Sequence, residues 1–179
     1  MKLRIANVVA FLMLLSFVTV VVAAEQPKKD SLLGKPAPDF KLKDLKGKEW
    51  KLSSLKDKKV VLLDFTRIMC MCGLTVAKDV QKVHEKYEKR GLQVLAISLD
   101  PPQAERIVTE IIADEKLTFP FLRDVGFKVA RDYKFEHIPC LVLVDRLGKV
   151  RYVYEGYRND LKKILSEKIE PLLPKHEKE

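Results

Sequence analysis

The chain has 179 residues, with 34 Lys and Arg against 25 Asp and Glu for a formal net charge of +9, and only three cysteines. That length suits one domain of ordinary size after a leader is removed. The basic balance does not describe a nucleic-acid binder: the lysines spread through Lys41 to Lys59 and both ends without interleaved aromatics, as on a solvated basic surface.

Lys2 and Arg4, an apolar stretch from Val8 to Val22 and then Ala23-Ala24-Glu25 read as a secretory signal peptide over residues 1–24, cleaved after Ala24. The same stretch approaches the roughly 17-residue minimum of a spanning helix, so a membrane anchor is the alternative. Either reading exports the domain to the periplasm or another oxidising compartment, where disulfides persist. Cleavage would remove Lys2 and Arg4 and leave +7. Residues 25–33 read as a polar tether, 34–173 as the folded domain and 174–179 as a charged tail.

Leu42, Leu45, Trp50 and Leu52 alternate around Lys46-Gly47-Lys48, which predicts a short hairpin, and Ser53-Ser54-Leu55 predicts a single helical turn. Val60 to Phe65 is apolar enough for a buried strand. Leu74, Ala77, Val80, Val83 and Tyr87 form one helical stripe, ended by Gly91. Leu92 to Ser98 predicts the next strand, and Ala104, Ile107, Val108, Ile111 and Ile112 a second helix. A shorter helix is predicted over Val125 to Tyr133. Cys140 to Asp145 and Val150 to Tyr154 form a hairpin through Arg146-Leu147-Gly148-Lys149, and a closing helix carries Leu161, Ile164, Leu165, Ile169 and Leu172. This order predicts an α/β fold, a central mixed β-sheet with helices on both faces and an N-terminal β-hairpin extension.

From about Gly34 to Leu173 the chain resembles the thioredoxin-like superfamily, and within it the periplasmic redoxins related to thiol-specific antioxidant proteins and cytochrome c maturation reductases. Gly34-Lys35-Pro36-Ala37-Pro38-Asp39-Phe40 is similar to that branch's opening G-x-x-A-P-x-F. Leu63-Asp64-Phe65-Thr66-Arg67-Ile68-Met69-Cys70 is similar to its strand and turn into the nucleophile, and Ile138-Pro139 with Leu141 to Asp145 to its proline loop and last hairpin. The resemblance implies a thiol–disulfide oxidoreductase. Cys70 would be the attacking thiol, Asp64 the buried acid that handles the second thiol's proton, and Pro139 the cis-proline that holds the substrate chain. A helix N-terminus lowers a thiol pKa and burial raises that of a carboxyl, which suits Cys70 and Asp64 to these parts. The alternatives for the last two are a partly exposed strand-end acid and an ordinary trans proline.

Three departures matter. Thr66 and Met69 stand where the family carries aromatics, and its second cysteine would fall at Gly73, one position after Cys72. Residues two apart on a regular helix lie roughly 160° apart, so a Cys70–Cys72 disulfide there requires unwinding of the first turn. Such a bond would be strained and readily reduced. Cys140, beside the proline, is the other candidate to resolve Cys70, or else a buried cysteine acting as a small hydrophobe.

Two other chemistries share these residues. Met69-Cys70-Met71-Cys72 offers soft sulfur donors, and with His137 would make a Cu(I) site similar to that of Sco-type copper chaperones of the same fold, a binding function in place of an enzyme. A peroxiredoxin-type peroxidase would carry a threonine three residues before its cysteine, where this chain has Arg67. Thiol–disulfide exchange requires no cofactor; copper belongs to the alternative. The partner implied is a protein thiol or disulfide, with a membrane-linked electron donor or a cytochrome c or oxidase assembly component as further partners, and no nucleic acid. A structural domain with inert cysteines would leave the coincidence of Asp64, Pro139 and the cysteines unexplained.

Overall fold

Val60–Thr66 (β3) is buried along its whole length, and its alternate residues face two different apolar clusters. A computed structural model of the protein describes residues 32–174; the expected leader, most of the tether and nearly all of the tail lie outside them. Val60 and Leu62 join one cluster, while Val61, Leu63 and Phe65 join the other. That alternation is what a strand with helices or loops on both sides must show.

Before β3, Lys41–Lys43 (β1) and Glu49–Lys51 (β2) form the expected antiparallel hairpin. Asp44 closes its turn by accepting the N–H groups of Lys46 and Lys48 and the indole N–H of Trp50, all at 2.9 Å. Leu52–Leu55 is a single 3-10 turn. After β3 come Met71–Tyr87 (α1), Leu92–Ser98 (β4), Glu105–Asp114 (α2), Phe121–Arg123 (β5), Lys128–Tyr133 (α3), Cys140–Val144 (β6), Val150–Glu155 (β7) and Leu161–Ile169 (α4). The sheet order is β5-β4-β3-β6-β7: β5, β4 and β3 run parallel, and β6 and β7 are antiparallel. The result is the α/β fold expected, a mixed sheet of five strands with the two-stranded hairpin as its N-terminal extension.

The buried residues of α1, α2 and α4 meet Val60, Leu62, Val94, Ala96, Leu141 and Leu143 in one cluster. On the other face Val129 and Tyr133 of α3 pack with Phe40, Leu52, Phe65, Ile97 and Val142. The Gly34–Ala37 segment runs along the β6–β7 turn, with Gly34 N–H on the Val150 carbonyl at 2.8 Å and Ala37 N–H on that of Gly148 at 2.9 Å.

Two elements differ from the sequence reading. β5 has only three residues, too short to show a period, and is made by pairing with Ala96, Ile97 and Ser98. α3 begins at Lys128 and not Val125: Phe127 takes a left-handed φ of 57°, and the Asp124 carboxylate caps the helix through the N–H groups of Val129 and Ala130 at 3.2 and 2.8 Å. Among the described residues no helix is long and apolar enough to cross a membrane.

Candidate active site

β3 ends at Thr66, and a tight turn carries the chain to the start of α1. Ile68, fully buried, plugs the turn into the core. The Asp100 carboxylate, just past β4, accepts the N–H groups of Ile68 at 3.0 Å and Met69 at 3.3 Å, and is itself held by the Ser98 hydroxyl at 3.2 Å. Arg67 donates through Nε to the Leu99 carbonyl at 3.0 Å, and Leu99 N–H returns to the Thr66 carbonyl at 2.9 Å. Parallel β3 and β4 end at the same edge of the sheet, so the residues after β4 are placed to clamp the turn after β3. The sequence reading passed over Asp100; a Ser-x-Asp at the end of a strand parallel to the nucleophile strand was the available signal.

Cys70 ends this turn. Its N–H donates to the Arg67 carbonyl at 3.1 Å and its carbonyl accepts Leu74 N–H at 2.9 Å, the first bond of α1. It is the N-cap residue, with extended φ and ψ of −94° and 137°, so only Cys72 of the pair has helical backbone. The 160° separation therefore does not apply. The two sulfurs face each other at 3.3 Å, and both cysteines are in the thiol form. The hydrogen bond from Cys72, followed by the backbone N–H groups of Cys72, Gly73 and Met71 at the helix start, holds the exposed Cys70 thiol below its ordinary pKa. The same hydrogen bond, then burial and the charge on Cys70, push Cys72 up. Met69 and Met71, 48% and 79% exposed, flank the nucleophile, and the Arg67 guanidinium lies over the exposed Phe127 ring at 5.9 Å.

Asp64 is fully buried on the α1 face of β3, paired in register with Ala96 and Leu141. Among the described residues neither of its oxygens has a hydrogen-bond partner, and burial raises its pKa to about 8. Thr66, two residues along on the same face, is equally buried, and its hydroxyl also lacks a partner. Each such orphan costs about 1–3 kcal/mol of folding free energy. Gly73, where a second cysteine was to be sought, lies directly against this spot. A Cβ on Gly73 would stand 2.1 Å from the Arg67 carbonyl oxygen and 2.8 Å from the Thr66 hydroxyl. The clamped turn has taken the space of a side chain at position 73.

Pro139 follows a cis peptide bond from Ile138 and precedes β6, whose first residue Cys140 pairs with Phe65 of β3. Antiparallel pairing thus sets Pro139 at the sheet edge where β3 gives way to the Cys70 turn. Its carbonyl accepts Gly156 N–H at 2.8 Å, and Glu155 accepts the N–H groups of Glu136 and His137 at 3.0 and 2.8 Å. Cys140 is fully buried in the cluster with Phe65, Val142 and Tyr133, on the face away from α1. His137 is exposed, and among the described residues no group of three or more His, Cys, Asp or Glu side chains stands close enough to hold a metal ion. Cys70, Cys72 and His137, the ligands of the alternative copper reading, form no such group among the described residues.

Two thiols in contact across the start of a helix, where the parallel strands of a mixed sheet end, are the equipment of a thiol–disulfide oxidoreductase. The chain belongs to the AhpC/TSA family, whose pattern matches residues 33–153. It is 32% identical over 123 residues to the thiol-disulfide oxidoreductase ResA of Bacillus cereus, covering 69% of each chain. To the ResA of Geobacillus thermodenitrificans it is 30% identical over 141 residues, 78% of this chain and 79% of that one. Among solved structures, a Chlorobium tepidum protein described as the thiol:disulfide interchange protein DsbE superposes with a TM-score of 0.72 at 29% identity, over 80% of this chain and 99% of that one.

Proposed function

We propose that the protein is an exported redoxin that exchanges disulfides with a protein partner through Cys70, with Cys72 as the resolving thiol. The observation that carries this reading is the 3.3 Å approach of the two sulfurs across the N-cap of α1, with the lower pKa on the exposed one. The Cys70 thiolate attacks one sulfur of a partner disulfide, forms a mixed disulfide and expels the other sulfur as thiolate. Cys72, after losing its proton, attacks the Cys70 sulfur, closes the Cys70–Cys72 bond and releases the second partner thiolate. Two electrons leave the cysteine pair and reduce the partner; the reverse sequence oxidises it.

Asp64 is the proton acceptor for the second step through its ionised fraction, which grows as pH rises toward 8, where burial has set its pKa and made the carboxylate a strong enough base to take a thiol proton. Pro139 sits at the same sheet edge, as a positioning residue for the partner chain, and the exposed Met69, Met71 and Phe127 give that chain an apolar seat. Cys140, in the core on the far face, serves there as packing.

The test uses reduced protein and a disulfide-bonded substrate such as insulin. Cys72→Ser is expected to accumulate a mixed disulfide through Cys70, seen as an adduct by intact mass, while Cys70→Ser forms none and is inactive. A Cys70→Ser variant that retains full activity, or an adduct on Cys140, refutes the assignment. Export is tested separately: mature protein from the producing cell should lack residues 1–24 by mass or stay with the membrane fraction.

A further inference from the structure

β3 ends beside the Cys70 turn, so its first residue, Val60, marks the opposite end of the sheet, about 20 Å away along the strand. There the loop before β3 meets the β6–β7 turn. Asp57 N–H donates to the Arg146 carbonyl at 2.7 Å, and Arg146 Nε donates to the Asp57 carbonyl at 3.1 Å. Lys56, Lys58 and Lys59 lie in that loop, and Arg146 and Lys149 in that turn. Lys35 joins them, because its carbonyl accepts Val150 N–H at 2.9 Å. Among the described residues none of these six cations pairs with a carboxylate, whereas most acids of this end are engaged. Asp145 is held by Arg151, Glu170 by Arg90 at 3.1 Å and Glu88 by His84 at 2.9 Å, which leaves Asp57.

Charge alone describes a solvated surface; two leucines change its character. Leu147, in the turn between Arg146 and Lys149, is 60% exposed, and Leu33, next to Gly34 on the Val150 carbonyl, is 57% exposed. Beside Leu147 an open cleft of about 190 Å³ is lined by Leu55, Val61 and Val144, with Lys56 and Lys59. The carboxylates of that cleft are already used: Asp39 accepts Ser53 N–H at 2.8 Å, and Asp145 those of Leu147 and Lys149 at 2.9 Å. Cations set around exposed aliphatic side chains match a bilayer surface, whose anionic headgroups take the first and whose acyl chains take the second.

We propose that this end of the domain docks on an anionic bilayer, with Leu33 and Leu147 entering the boundary between headgroups and acyl chains and the six cations lying among the lipid phosphates. Cys70, at the other end of β3, then faces away from the lipid and stays open to a partner disulfide.

Leu147→Trp puts a reporter on this surface, since the chain's own tryptophan, Trp50, lies in the β1–β2 hairpin. The protein, as isolated from the producing cell, is mixed with vesicles of phosphatidylcholine alone or of phosphatidylcholine with phosphatidylglycerol. Its emission is expected to shift to the blue, and to be quenched by brominated acyl chains, only where phosphatidylglycerol is present. The shift should reverse at about 1 M salt, where charges are screened within about 3 Å.

Each lysine near an anionic leaflet strengthens docking about fivefold, so adding Lys35→Glu, Lys56→Glu and Lys149→Glu should weaken it about a hundredfold or more and abolish the shift. The same change of charge made elsewhere, by Lys43→Glu and Lys46→Glu on the hairpin with Lys163→Glu on α4, should leave the shift in place. All these residues are exposed, and insulin reduction without vesicles should be unchanged in every variant, which separates the docking surface from the thiol chemistry. An equal shift on neutral vesicles, a shift that survives the first set of substitutions, or its loss with the second set would each overturn the proposal. So would a full shift produced by monomeric short-chain phosphatidylglycerol, which would assign the cleft to a single amphiphile in place of a bilayer.

Discussion

Asp64 should make the stability of this fold depend on pH in the direction opposite to most carboxylates. Its folded-state pKa is raised from 3.8 to about 8 by burial alone. Below 3.8 the carboxyl is protonated in both folded and unfolded chains and adds no pH dependence. Between 3.8 and about 8 the unfolded chain releases the proton and the folded chain keeps it, so stability falls as pH rises, and it levels off above 8. Each unit is worth about 1.4 kcal/mol, so by pH 7 the folded state has lost about 4 kcal/mol relative to pH 4 through this one group. Asp64→Asn is uncharged at every pH, and its burial cost is constant. Denaturant unfolding of the two reduced proteins at pH 4, 5.5, 7 and 8 should show the variant gaining on the wild type by about that amount between pH 4 and 7, with most of the gain above pH 5. Stability curves that stay parallel across that range would show that Asp64 is ionised in the fold, and would remove the basis for its part in proton transfer.

Gly73→Cys, which restores the two-residue spacing, should cost about 3 kcal/mol in unfolding free energy, because its Cβ meets a backbone oxygen at 2.1 Å that only movement of the turn can relieve. Its exchange rate should fall in place of rising, a result that an insulin-reduction assay reads directly. Asp100→Ala releases the N–H groups of Ile68 and Met69, and thermal melting should show a loss of about 1–2 kcal/mol. Because the freed turn no longer fixes the two sulfurs, closure of the Cys70–Cys72 disulfide should slow more than first attack by Cys70.

The fold was legible where burial wrote itself into the residue pattern. β3, β4 and β6 are continuous apolar runs, and the striped α1 shows its period plainly. β5 was not, because three residues have no period and Phe121–Arg123 is a strand only through its neighbour. At the site, Asp64, Cys70 and Pro139 were named from position in a family pattern, and the structure sets all three at or beneath one edge of the sheet. The distance between the cysteines was misjudged for a physical reason. Helical wheel geometry assumes that both residues are in the helix, and a one-residue shift of the helix start puts Cys70 outside it. Thr66 looked like a lost aromatic; only its burial without a partner marks it as something retained at a cost.

The contact of Gly73 with the Arg67 carbonyl also bears on how such a site could arise. The spacing of the thiols is held jointly by the missing side chain at 73, the course of the Arg67–Met69 backbone and the carboxylate that grips it. Moving the second sulfur by one residue is therefore not a single-step change in either direction: a cysteine at 73 is excluded until the turn is rebuilt, and a rebuilt turn would part Cys70 from Cys72. Chains with the two spacings are separated by intermediates that pair their thiols badly, so a C-x-C of this kind should persist in a lineage once acquired.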